Sequence, residues 1–243
     1  MRSRFEQEWR TRFEEFASVR DDDAGIAGWT ATGLDARVRR FLKLWKPGES
    51  GLRWLDAGCG AGTYTRILRG QHREVVGVDY SLPTLRRAAA RDEEGAVYTV
   101  ADVTSLPFRG EQFDGVLCLG VTQALAAGEP ALRELARLLK PGGELWIDAL
   151  NGACLVHVMG SLKRRLRHDP QHLRYEWPRR LLRSVRDSGF SDARLYWMPI
   201  MPAETRRLQR LVESESAAWV LRNLPWIGAL VSHGFIVRAR KPA

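Results

Sequence analysis

The stretch Leu55-Asp56-Ala57-Gly58-Cys59-Gly60-Ala61-Gly62-Thr63-Tyr64 follows the largely apolar run 52–55 and precedes Ile67-Leu68. An apolar strand feeding a turn with glycines at alternate positions presents backbone without Cβ atoms to a ligand and lets the chain turn sharply into a helix. That pattern marks a nucleotide-cofactor loop. A dinucleotide fingerprint would need a third glycine at position 63, which is Thr63; the third glycine is Gly62. A P-loop needs a lysine after the glycines, and none follows. Asp56 would set a negative charge beside a diphosphate, which is unfavourable. The same charge suits a cofactor carrying an ammonium and a sulfonium, and so points to S-adenosylmethionine.

With those residues read, the stretch resembles the first motif of the class I S-adenosylmethionine-dependent methyltransferases, in their small-molecule branch of ubiquinone/menaquinone-biosynthesis and natural-product enzymes. Further stretches resemble the family's later landmarks in order. Val75-Val76-Gly77-Val78-Asp79-Tyr80-Ser81 reads as a second buried strand ending in an acid. The resemblance implies that Asp79 holds both ribose hydroxyls, a pairing of two acceptors with two donors. Tyr80 stands where an aromatic ring can stack on adenine. Ala101-Asp102-Val103 closes a third strand, where the resemblance sets Asp102 and the Val103 N–H against adenine. Phe113 to Gly120 resembles the fourth strand, with Leu119 and Gly120 at its cofactor end, and Leu138 to Asp148 resembles the turn into the fifth. The resemblance implies that Asp56, Gly58, Gly60 and Gly62 cradle the methionine end, and Cys59 and Tyr64 are expected among the cofactor-binding residues. An acid 21 positions after Gly58 also fits the ribose acid of a nicotinamide enzyme, so glycine spacing and Asp56 carry that distinction.

Around this core the chain of 243 residues is 44% hydrophobic, enough for one α/β domain. Cys59, Cys118 and Cys154 show neither disulfide nor zinc spacing, and residues 1–20 have no apolar signal segment, so a reducing cytoplasm is expected. Phe5, Trp9, Phe13 and Phe16 fall on one helical face, and Asp21-Asp22-Asp23 with Gly25 and Gly28 ends that helix before Trp29. Such a helix packs on the body or closes over the cofactor; a loop bearing Trp29 is either a lid or a linker. Leu34, Val38, Phe41, Leu42 and Trp45 mark a second amphipathic helix, ended by Pro47-Gly48. Later helical patterns start at Ser81, Pro130 and Pro178. Alternation of strands and helices predicts a doubly wound sheet. By resemblance it has seven strands: Ser188-Gly189-Phe190 turns into the sixth, and His233 to Lys241 forms a last, antiparallel one. The expected organisation is a single domain: a helical cap over 1–48, a cofactor core over 49–150, and insertions 151–177 and 200–231 that form the acceptor site.

The end of the fourth strand carries Gln123 where many small-molecule relatives place a histidine, and the Asn/Asp-Pro-Pro-Tyr/Phe motif of amine- and amide-methylating enzymes is absent. Methyl transfer is an in-line displacement at an activated carbon, so alignment and desolvation supply much of the catalysis. A base is needed only for an unionised hydroxyl, and His157 is the candidate. Oxygen is the expected methylated atom on a small-molecule acceptor that is apolar, lipid-linked or anionic. No metal is expected, because Pro170 between His168 and His172 disfavours a helix presenting both.

The net charge of +9 is concentrated over 163–186, beginning Lys163-Arg164-Arg165. This segment reads as a solvated face or as a patch for anionic lipid, a phosphorylated acceptor or RNA. An RNA methyltransferase would use it, but no added RNA-binding module accompanies it. A cofactor-binding protein without transfer would keep the same fold, and the intact glycine loop argues against that. Residues 218–231 carry Trp219 and Trp226 among aliphatics and are interrupted by Arg222, Asn223 and Pro225, which disfavours a membrane span. They fit a membrane interface, an acceptor pocket wall, a dimer contact or plain core.

Overall fold

The computed structural model describes residues 3–46, 50–169, 173–201 and 207–243. Pro47-Gly48, Pro170 and His172 lie outside the described residues. Three helices lead, α1 (Arg4–Val19), α2 (Asp23–Ile26) and α3 (Ala31–Leu44). Then β1 (Arg53–Ala57), α4 (Thr63–Arg69), β2 (Glu74–Asp79), α5 (Leu82–Ala90), β3 (Val97–Val100), β4 (Phe113–Cys118), α6 (Glu129–Leu138) and β5 (Leu139–Leu150) follow. A 3₁₀ turn, Thr122–Ala124, lies between β4 and α6. The C-terminal part comprises α7 (Leu155–Arg167), α8 (Pro178–Asp187), β6 (Ser191–Met198), α9 (Gln209–Val212), α10 (Glu215–Asn223), α11 (Pro225–Val231) and β7 (Gly234–Arg240).

The strands form one seven-stranded sheet of order β3-β2-β1-β4-β5-β7-β6. β1 to β5 pair in parallel, and β7 runs antiparallel between β5 and β6. The doubly wound architecture with an antiparallel last strand is therefore as expected. The expected insertion 200–231 is three short helices over its described part, with Pro225 opening the last.

Period-two alternation along the central strands decides what each sheet face meets. Leu55, Val116, Leu145 and Val237 pack with Leu132, Leu135 and Leu138 of α6 and with Leu181 and Val185 of α8. The alternate residues Trp54, Leu117, Trp146 and Ile236 pack with Phe41 of α3, with Trp45 that caps it, and with Leu68 of α4. Each fully buried leucine of α6 contributes about 1.5–3 kcal/mol by leaving water. The alternation has a second result. Asp56 follows Trp54 by two, and Asp148 follows Trp146 by two, so both acids point toward the α3/α4 face. There Asp56 accepts from Thr65 Oγ1 at 2.7 Å, and Asp148 pairs with Arg37 of α3.

Candidate active site

The strand order reverses between β1 and β4, which opens a crevice at the carboxyl ends of the strands. A cavity of about 460 Å³ lies there, within the range of small-molecule sites. Its floor is built from the residues that follow successive strands: Gly58 to Ala61 after β1, Asp79 and Tyr80 after β2, Asp102 to Thr104 after β3, and Leu119 to Val121 after β4. Its roof comes from the N-terminal helices, through Glu6, Arg10, Phe13, Trp29 and Leu34.

The glycine loop has the backbone that its composition predicts. Gly58, Gly60 and Gly62 have φ of +80°, +52° and +79°. A Cβ on Gly58 would stand 2.3 Å from Val121 Cγ2, whereas one on Gly60 would meet nothing within 4 Å. Gly58 is thus required for the approach of the loop to the β4 end, and Gly60 leaves open space at the cavity wall. The Gly58 and Cys59 N–H groups donate to the Val78 carbonyl at 2.8 and 2.9 Å, tying the loop to β2. Asp79 is fixed from both sides: Gly60 N–H donates to Oδ2 at 3.1 Å and Ser81 N–H to Oδ1 at 2.9 Å. Burial pushes the Asp79 carboxyl up, and these two N–H groups oppose the shift. Asp102 Oδ1 accepts both the N–H and the hydroxyl of Thr104, at 2.9 and 2.8 Å.

Ten of the expected cofactor residues, Gly58, Cys59, Gly60, Tyr64, Asp79, Tyr80, Asp102, Val103, Leu119 and Gly120, line the cavity together. Gly62 sits just behind the wall as the N-cap of α4. Asp56 does not line the cavity. It is buried beneath the loop against Thr65, so it bears on a ligand through its field and not by contact. Burial and the adjacent Asp56 and Asp79 push the Cys59 thiol up, which keeps it a protonated wall group.

His157, the candidate base, does not line the cavity either. Asn151 Nδ2 donates to the Ala229 and Ser232 carbonyls, both at 2.8 Å, and so leads the chain after β5 toward α11. His157 then binds the Asn151 carbonyl through Nδ1 at 2.8 Å and packs between Tyr175 and His233. No described residue of 151–177 or 200–231 lines the cavity, whose lining beyond the strand ends comes from the N-terminal segment and from residues between Val121 and Pro130. Arg174 only backs the rim, its N–H donating to the Gln123 carbonyl at 3.0 Å. Among the described residues no group of three or more metal-ligating side chains is present, and no helix is long and apolar enough to cross a membrane.

The structure adds a unit that the motifs do not reveal. Asp148, at the end of β5, accepts the Gly120 N–H at 2.7 Å and pairs with Arg37, both side chains being buried. The Arg37 guanidinium lies 3.9 Å from the centre of the Trp29 ring, a cation–π contact that holds Trp29 over Gly120. The signal in the sequence was an acid within an apolar strand, which demands a partner. A second set of ion pairs fastens the roof: Asp23 binds Arg66 and Arg91, and Asp21 binds Arg87.

Asp56 makes a pH prediction. Burial pushes its carboxyl up to about 6 from an ordinary 3.8. Between these values the folded state holds a proton that the unfolded chain has released, so stability is fullest below pH 3.8 and falls as pH rises toward 6. The fall attributable to this group is about 3 kcal/mol. Asp56→Asn keeps an acceptor for Thr65 and removes the titration. Urea melts from pH 4 to 7 should therefore show the variant gaining on the wild type as pH rises; parallel curves would refute the assignment.

Comparison with known proteins agrees with this geometry. Residues 55–147 match the family model described as a methyltransferase domain. That stretch is a methyltransferase domain. The chain is 32% identical over 148 residues to the mouse (Mus musculus) "Probable tRNA methyltransferase 9B", covering 60% of the chain and 29% of that protein. It is 40% identical over 134 residues to the malonyl-[acyl-carrier protein] O-methyltransferase of Salmonella typhimurium, covering 55% of the chain and 47% of that protein. The chain thus spans less than half the length of these relatives. The solved [4+2]-cyclase SpnF shares the fold, with a TM-score of 0.69 at 20% identity over 100% of this chain and 99% of that one.

Proposed function

We propose that the protein transfers the methyl group of S-adenosylmethionine to an oxygen of a small acceptor that is already anionic. The observation that carries this reading is a single cavity whose floor is the glycine loop with Asp79 and Asp102, and whose roof is an aromatic N-terminal cap. The groups present fit the cofactor. Gly60 leaves room for its methionine end, Asp79 offers a carboxylate oriented by two N–H donors to a vicinal diol, and Asp102 and Val103 face the adenine side. When bound, S-adenosylmethionine supplies a methyl carbon activated by its sulfonium.

The remaining work belongs to the chain. Phe13, Trp29 and Leu34 exclude water above the reacting end, and the Arg37–Asp148 pair fixes Trp29 and the Gly120 backbone relative to each other. Among the described residues no histidine lines the cavity, so an acceptor with an ionised oxygen, a carboxylate or acidic phenol, suits a site without a dedicated imidazole base. Arg10 in the roof, its Nε paired with Glu14 and its guanidinium over the Tyr80 ring, brings a cation to the cavity wall for such an acceptor. The O-methyltransferase relative supports the same reading.

The mouse relative's name favours a second reading, tRNA methylation. Against it, the basic helices α7 and α8 contribute nothing to the cavity lining. Calorimetric titration with S-adenosylmethionine, S-adenosylhomocysteine and NAD, followed by S-adenosylhomocysteine release with carboxylic acids, phenols and tRNA, separates the readings. Binding of the first two ligands and turnover with small anionic acceptors are expected. Binding of NAD alone would overturn the cofactor, and turnover confined to tRNA would overturn the acceptor.

A further inference from the structure

Helix α7 is amphipathic but lies inside out. Leu155, Met159, Leu162 and Leu166 recur at intervals of four, three and four residues, the spacing of one helical face. A surface helix ordinarily buries that face, yet α7 has no buried residue, and Leu166 is 74% exposed. The side turned to the body carries His157, which packs on Tyr175 and His233, and Arg164, whose guanidinium stands 5.9 Å from the centre of the Tyr175 ring. The apolar face therefore points to solvent. At 100° per residue Lys163 and Arg165 flank it on opposite sides, and both are exposed, as is Arg167.

The neighbouring α11 contacts α7 and carries exposed Trp226, Leu230 and Val231. It is seated on the sheet closely: a Cβ on Gly228 would stand 2.3 Å from Trp197 Nε1. Two adjoining helices thus expose aliphatic and tryptophan side chains with cations beside them.

We infer that α7, with α11, is a docking face for an anionic lipid bilayer. An interfacial helix lays its apolar face about 5–10 Å into the headgroup and acyl boundary, with Lys and Arg at the phosphate level and Trp at the interface. Both charge sign and placement fit: the helix carries no acid, and its cations border the apolar face on two sides. A second copy of the chain fits less well. An isologous contact through this face would bring its cations against their own copies with no acid on the helix to answer them. RNA would use the cations but leave the apolar face in water.

The test is flotation of the full chain with vesicles of phosphatidylcholine alone and of phosphatidylcholine with phosphatidylglycerol. Binding is expected only to the anionic vesicles, weakening as salt rises. Lys163→Gln/Arg165→Gln/Arg167→Gln should lower partitioning about a hundredfold, at roughly 1 kcal/mol per basic residue. Leu162→Ser/Leu166→Ser should lower it about tenfold or more while leaving S-adenosylhomocysteine affinity and the thermal midpoint unchanged, which shows that the fold is intact. Three results would overturn the inference: no vesicle binding by the wild type, vesicle binding indifferent to the leucine variant, or a dimer in sedimentation that the leucine variant dissociates. Binding of tRNA lost in the charge variant but kept in the leucine variant, without vesicle binding, would assign the patch to RNA. Because cofactor binding is read separately, failure here leaves the proposed activity standing.

Discussion

Asp79→Ala is expected to lower affinity for S-adenosylmethionine by roughly 10²- to 10⁴-fold while the protein stays folded. Two hydrogen bonds from ribose hydroxyls to a carboxylate are each worth about 1.5–3 kcal/mol, because the acceptor is charged and held in place before the ligand arrives. Asp79 is held in this way by the N–H groups of Gly60 and Ser81. Removing the carboxylate frees both donors, but they face a cavity that water can enter, so the cost to stability is modest. Asp79→Asn, with one acceptor oxygen, should fall between. Titration calorimetry gives the affinities and a thermal melt reports the fold. Wild-type affinity in the alanine variant would remove Asp79 from the ribose site.

The second large effect is on stability. Asp148→Ala should destabilise the fold by about 3–5 kcal/mol, since it leaves the buried Arg37 without its counter-charge. The Gly120 N–H loses its acceptor in the same step. If the penalty comes from the stranded charge, Arg37→Met/Asp148→Leu should recover most of the loss, because an apolar pair of similar volume removes both charges together. Urea unfolding of the two singles and the double closes the cycle. A single-variant loss below about 1 kcal/mol would mean that the pair is solvated. The rescued double should still show impaired turnover, because Trp29 would have lost the guanidinium beneath its ring.

What could be read from the sequence follows from how local each signal is. The glycine loop, Asp79 and Asp102 are legible because a strand-end acid or a positive-φ glycine is dictated within a few residues of chain. The central strands were legible for the same reason: the unbroken buried runs Val75 to Val78 and Leu145 to Ile147 are a property of neighbours, whereas the sixth and seventh strands rested on the family resemblance. Contacts that depend on register between distant elements were not. Nothing in the chain near Asp148 says that Arg37 lies opposite, 111 positions away, although an acid in an apolar strand says that some partner must. His157 misled because proximity in sequence to the end of β5 suggested proximity to the cavity, and only the Asn151 anchor to Ala229 and Ser232 shows where the chain goes next. Nor does the sequence near Trp29 decide between lid and linker, because the Arg37 guanidinium against its ring comes from the next helix.

The cavity is assembled from two separate pieces of chain. Its floor falls within residues 58–130 and its roof within residues 3–34, and the two are clasped by the ion pairs of Asp21 and Asp23 with Arg66, Arg87 and Arg91. The stretch that matches the methyltransferase model begins at residue 55 and so contains most of the floor and none of the roof. In such an architecture the covering segment can differ while the other half of the cavity stays unaltered, provided that the clasp is kept. Kinship measured on the floor is therefore blind to what the roof admits.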